Sequence, residues 1–178
     1  MNKPCNEAEQ LPSEATSIEQ HLRDTVAVMR RSCETEPALR GKERLYVCVE
    51  DFLLQNGRAF NGVEPLPQGM RRGKDHECYK NAFLLMGMHP SLTYVEGVAV
   101  STERSVPTHH AWCVDEQGRV IDPTWPNGRS YFGVPFTREY VLATYTAIGR
   151  LGVIRNMEQG FPLLATKIKG FREEKFFQ

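Results

Sequence analysis

Apolar side chains recur at helical spacing at Ile18, Leu22, Val26 and Met29, and the run continues through Cys33. That stripe predicts a first amphipathic helix, with Thr16 and Glu19 forming a capping-box pattern at its start. Leu45, Val49, Phe52 and Leu53 predict a second helix, ending at Asn56-Gly57. From 57 to 74 the pattern changes. Gly57, Gly62, Gly69 and Gly73 with Pro65 and Pro67 argue against any regular element, and a loop of this length in a compact domain is functional or mobile. Its Arg71, Arg72 and Lys74 read as a solvated surface cluster.

Asp75 is placed to cap a third helix that carries Cys78 in its first turn. The run Ala82-Phe83-Leu84-Leu85-Met86 is apolar nearly all round, so this helix is expected to be central and buried. A strand follows over 92–100, apolar on both faces apart from Thr93 and Glu96. Residues 108–115 and 119–124 predict a hairpin, and 137–148 a last helix closed by Gly149. The tail from Arg150 carries no assignable pattern, and no internal repeat is visible. Helices followed by an antiparallel sheet make an α+β chain, with N-terminal helices and a central buried helix packed on the sheet. Residues 1–13 read as a flexible arm and 14–178 as a single domain.

Composition narrows the class. The chain has 178 residues, 40% apolar and 25% charged, which suits an ordinary globular domain. Its formal net charge is zero, so no global field favours nucleic acid or an acidic membrane. Five cysteines, an odd number without a C-x-x-C pair, and an N-terminus without an apolar core lead us to expect reduced thiols and a cytoplasmic setting. No apolar run is long enough to span a bilayer. Neither a cofactor nor a membrane or nucleic-acid partner is expected.

The hairpin carries the chemistry. Alternate strand residues share a face, so His110, Trp112 and Val114 point one way and Ala111, Cys113 and Asp115 the other. Glu116-Gln117-Gly118 fits a three-residue turn with glycine in the left-handed position. That turn pairs Asp115 with Arg119 and puts Asp122 one diagonal step from His110 on the same face. A two-residue turn would send Asp122 to the opposite face. Cys78, for its part, lies at a helix start, where unpaired N–H groups favour the thiolate.

A cysteine at a buried helix start, then HHAW (109–112), then VIDPTW (120–125), resembles the transglutaminase-like branch of papain-like thiol enzymes. The matching text around the cysteine is ECYKNA (77–82), and the resemblance covers residues 75–136. It implies a papain-like or transglutaminase-like core with Cys78 as nucleophile, His110 as base and Asp122 as orienting carboxylate. By the same analogy Gln68 is the candidate side-chain oxyanion donor, beside the backbone N–H of Cys78. The tryptophan or glycine-rich context usual before the nucleophile is absent; Lys74, Asp75 and His76 stand there.

Other readings of these residues are weighed as follows. A one-residue slip would exchange His109 and His110, but His110 shares its face with Trp112 and Val114. Cys5, Cys33, Cys48 and Cys113 are read as structural or surface thiols lacking a helix-start position. Trp112 and Trp125 are packing groups or substrate contacts, one of them shielding the His–Asp bond. Tyr94 and Glu96 lie on the preceding strand, Glu96 being a structural partner or a substrate-site residue. His76, Cys78, His109, His110 and Cys113 lack the short chelating pairs of a zinc site, so no metal is expected. The expected activity is a cysteine hydrolase, whether protease, amidase or protein glutamine deamidase, acting through a thioester on a protein or peptide-like amide. A thiol acyltransferase and a non-catalytic binding or inhibitory module are the alternatives.

Overall fold

The computed structural model describes residues 14–35, 44–156 and 160–178. The expected arm over 1–13, and Cys5 with it, lies outside the described residues. The architecture is α+β. Helix α1 (Glu14–Thr35) starts ahead of Thr16, which therefore stands inside the helix rather than at its cap. Its stripe buries Ile18, Leu22 and Val26 and ends there, because Met29 is exposed.

Helix α2 (Val49–Asn56) begins later than Leu45 suggested. The buried Asp51 carboxylate accepts from Val47 N–H at 3.0 Å and from Arg30 of α1 at 3.3 Å. That pull bends 45–48 out of helical geometry and joins the first two helices through one polar contact.

Five strands follow in one antiparallel sheet: β1 (Arg58–Phe60), β2 (Thr93–Ser101), β3 (Thr108–Val114), β4 (Val120–Ile121) and β5 (Gly128–Phe136), ordered β1-β5-β2-β3-β4. Two of them correct the sequence reading. β1 falls in the stretch expected to lack regular structure, where its residues pair with Tyr131, Phe132 and Gly133. β5 was not anticipated at all, yet it is the inner strand beside β2. Its Gly128, Gly133 and Pro135 break the alternation that marks a strand.

β1 occupies one edge of the sheet. Just beyond it, Gly62 O accepts from Val120 N–H at 2.8 Å, and Glu64 N–H donates to Val120 O at 2.7 Å, on the β4 edge. The chain from Phe60 to Gly62 spans at most about 7 Å, so the sheet must curl until its two edges approach. The outer face carries Tyr94, Val98, Ala111, Cys113, Phe132, Val134 and Phe136 against the helices. These include α1, α2, α3 (Cys78–Met88), α4 (Arg138–Ile148) and the short α5 (Pro162–Ala165). The inner face carries Val95, Ala99, Trp112, Val114, Val120 and Tyr131.

The tail closes this inner layer. Phe176, in a 3-10 turn over Glu174–Phe177, stacks edge-on to Phe60 at 6.2 Å and is buried. Burial of such a ring contributes about 1.5–3 kcal/mol. Helix α4 matches its expected limits: Thr137 caps it and left-handed Gly149 closes it. Among the described residues no helix is long and apolar enough to cross a membrane.

Inside the curl, Gly133 pairs with Gly97, which in turn pairs with His110. A Cβ at Gly133 would stand 2.5 Å from Glu96 O and 2.7 Å from the Trp112 ring, so the missing side chain is the space that the indole fills. Gly133→Ala is expected to destabilise the protein by about 1–3 kcal/mol through this overpacking. A urea titration that leaves the midpoint unchanged would show that the ring can move aside.

Candidate active site

Cys78 owes its position to the way α3 begins. Contrary to the sequence reading, Asp75 does not cap the helix; it lies in a turn with His76, whose φ of 64° is in the left-handed region. For a histidine that conformation costs about 1–2 kcal/mol. The N-cap is Glu77, which makes no side-chain cap bond. Asn81 N–H reaches Glu77 O at 2.9 Å, so the N–H groups of Cys78, Tyr79 and Lys80 have no acceptor within the helix. The positive end of the helix therefore lies at a thiol that is only 9% exposed.

His110 and Asp122 meet through the register that the hairpin predicts. Cys113 pairs with Ile121 and Val114 with Val120. Asp115 N–H donates to Arg119 O at 3.1 Å across the turn, with Gly118 at φ 77°. The second strand is shorter than the expected 119–124. It stops at Ile121 because the Asp122 side chain takes over the following backbone: Oδ1 accepts from Thr124 N–H at 2.7 Å and from Trp125 N–H at 2.9 Å. Oδ2 faces His110 Nε2 at 2.8 Å and accepts from the Tyr131 hydroxyl at 2.8 Å. Both His110 and Asp122 are 1% exposed.

With Nε2 engaged, Nδ1 is the ring nitrogen left for Cys78, which lines the same cleft as the imidazole. Trp125 lies flat on the His110 ring, with centroids 3.9 Å and planes 16° apart. Burial works against the imidazolium, but the Asp122 hydrogen bond, the Cys78 contact and the Asp122 charge outweigh it and raise the ring to about 9. Burial likewise pushes the Asp122 carboxyl up; its bonds to His110 and to the Trp125 and Thr124 amides hold it below its ordinary value.

The loop before α3 ties the helix to this turn. Arg72 donates to Asp122 O and, at 2.9 Å, to Trp125 O, and Gly73 N–H donates to Pro123 O at 2.8 Å. Asn81 Nδ2 bridges Lys74 O at 2.9 Å and Thr124 Oγ1 at 3.0 Å. Arg72 is thus no member of a merely solvated cluster. Neither Arg72, Asn81, Thr124 nor Tyr131 was foreseen as a site residue; the NA of ECYKNA was the one textual hint.

These groups open on a cleft of about 290 Å³ whose walls include Cys78, His110, Thr124 and Trp125. Of the further candidates, Trp125 reaches the cleft and Gln68 does not. Gln68 stands exposed on a turn, because the 57–74 segment follows the sheet edges instead of folding over the cysteine. Trp112 is fully buried on the inner face, its indole nitrogen without a hydrogen-bond partner among the described residues. Tyr94 donates to Glu96 at 2.7 Å, and Glu96 also accepts from the Val153 and Ile154 amides, so this carboxylate is a structural partner on the helix-facing side.

His109 pairs with Glu50 of α2 at 3.3 Å, and that bond draws the Glu50 carboxyl down to about 2. Cys48 turns out to stand at a helix start as well, as the N-cap of α2. Burial, opposed by an Asp51 backbone bond and reinforced by Glu50, raises its thiol to about 11, which disfavours the thiolate. Cys113 is buried, donates to Ala82 O at 3.3 Å, and is likewise pushed up by burial. Among the described residues no group of three or more His, Cys, Asp or Glu side chains is arranged to hold a metal ion.

No family model, curated protein or solved structure matches the chain. What the arrangement can do therefore rests on its own geometry: a thiol at a helix head, a ring that can hold its proton, and a carboxylate that fixes the ring. Asp122→Asn is expected to drop the His110 titration from about 9 to well below it, since burial then acts with less opposition. Ring-proton NMR across pH reads this directly. An unchanged midpoint would mean that Asp122 does not govern the imidazole.

Proposed function

We propose that this protein is a cysteine-nucleophile hydrolase of the transglutaminase-like, papain-like type, acting on an amide of a protein or peptide-like substrate. The reading is carried by one observation, the buried 2.8 Å bond between His110 and Asp122 beside a thiol at the head of α3. The Cys78 thiolate attacks the carbonyl carbon, and its electron pair forms the C–S bond while the carbonyl oxygen becomes an oxyanion. The N–H groups free at the start of α3 supply donors for that charge. His110 gives its Nδ1 proton to the leaving amine as the C–N bond breaks. Water, deprotonated by the same nitrogen, then hydrolyses the thioester to a carboxylic acid and restores the thiol. Asp122 stays ionised throughout and keeps the ring in register.

Hydrolysis is favoured over transfer to an amine because the cleft is rimmed by exposed side chains, His76, Arg104 and Arg155, so water reaches the thioester. Expected chemistry follows. Cys78→Ala lowers ester or amide hydrolysis by about 10³-fold or more and abolishes labelling by iodoacetamide at that peptide, while Cys48→Ala and Cys113→Ala keep both. The alkaline limb of the rate profile lies near the His110 value of about 9, since the ring must be protonated to release the amine. A Cys78 that stays unlabelled in the folded protein would falsify the assignment.

A further inference from the structure

We infer that the cleft selects acyl substrates carrying a negative charge close to the scissile carbonyl, and that Arg104 and Arg155 are the groups that select them. The inference deepens the proposed hydrolase and rests on Cys78 being its nucleophile. Its starting point is the composition of the walls: His76, Arg104, His109 and Arg155 lie among the lining residues, which include no aspartate or glutamate. Asp75, beside His76, lies outside that lining, and three other acidic groups on neighbouring segments are already engaged. Glu50 is paired with His109, Glu77 with Lys80 at 2.9 Å, and Glu103 accepts from Asn127 at 2.8 Å. Among the described residues neither Arg104 nor Arg155 forms an ion pair, and both are exposed.

The Arg104 guanidinium and the backbone that carries Arg155 are each tied to the site. Arg104 lies over the Trp125 ring at 5.4 Å, and the same indole stacks on His110, so the cation and the general base share one aromatic neighbour. Arg155 follows directly on the two residues whose amides the buried Glu96 carboxylate grips, Ile154 N–H at 2.9 Å and Val153 N–H beside it. Glu96 is only 2% exposed and is further held by Tyr94. A carboxyl group buried in the sheet thus anchors the tail where it delivers an arginine to the cleft. Two guanidinium groups from separate segments, neither in an ion pair among the described residues, form a positive mouth that a carboxylate would neutralise with paired N–H donors.

The test compares alkylation of Cys78 by iodoacetate and iodoacetamide, in which the thiolate displaces iodide from the same carbon and the reagents differ by one charge. Because both need the thiolate, the ratio of their rates cancels any change in thiol ionisation. The Arg104→Gln/Arg155→Gln double variant is expected to lower the iodoacetate-to-iodoacetamide ratio about tenfold at low ionic strength, each single variant falling between. The difference should narrow in high salt. An equal ratio in wild type and double variant, with Cys78 still reactive toward iodoacetamide, overturns the inference and leaves the hydrolase standing. A Cys78 inert to both reagents overturns the two together.

Discussion

The Asp122 carboxylate is the contact on which the rest of the site depends. It receives four hydrogen-bond donors, from His110, Tyr131, Thr124 and Trp125, at the point where β4 ends. A buried carboxylate is tolerated only when its charge is fully met, and here every partner that meets it also does something else. His110 is oriented, Tyr131 is drawn in from the inner strand, and the turn that carries Trp125 is closed against the imidazole. Removing the charge would therefore undo a ring orientation, a strand end and an aromatic stack together.

The curl of the sheet brings these groups within reach. β1 and the 62–64 segment lie almost next to one another in sequence yet bond to opposite edges, so the inner face becomes a lined interior closed by Phe176. Because β4 is so short, β3 near His110 has no strand beside it on that edge. There the head of α3 approaches, held by Asn81 and the 72–74 loop. Helix start and imidazole thus belong to different layers, and the loop before the helix is what docks one on the other.

Comparison within the molecule shows why a helix start alone does not activate a thiol. Cys48 and Cys78 both stand at the beginning of a helix. Beside Cys48 lies a carboxylate, which with burial holds the proton on the sulfur; beside Cys78 lies the His110 imidazole instead. The partner decides, not the backbone. Glu96 follows similar logic on the helix-facing side, where two amides and a tyrosine satisfy a buried carboxyl group, and the 153–154 segment is fixed in return.

Short-range physics made part of this legible from the residues. The three-residue turn at 116–118 and the two-residue period of a strand together determine that His110 and Asp122 share a face. The apolar run from Ala82 determines that the helix behind Cys78 is buried, and Thr137 with Gly149 marks both ends of α4. Each of these depends on neighbours a few positions away. β5, the Tyr131 hydroxyl, the Arg72 staple, the true place of Gln68 and the arrival of Arg155 depend instead on contacts between residues tens of positions apart. Such contacts leave no periodicity behind: Gly133 has meaning only once Trp112 lies over it, and Glu96 only once the tail returns. The chain sets which groups can react, and the curled sheet decides which of them meet.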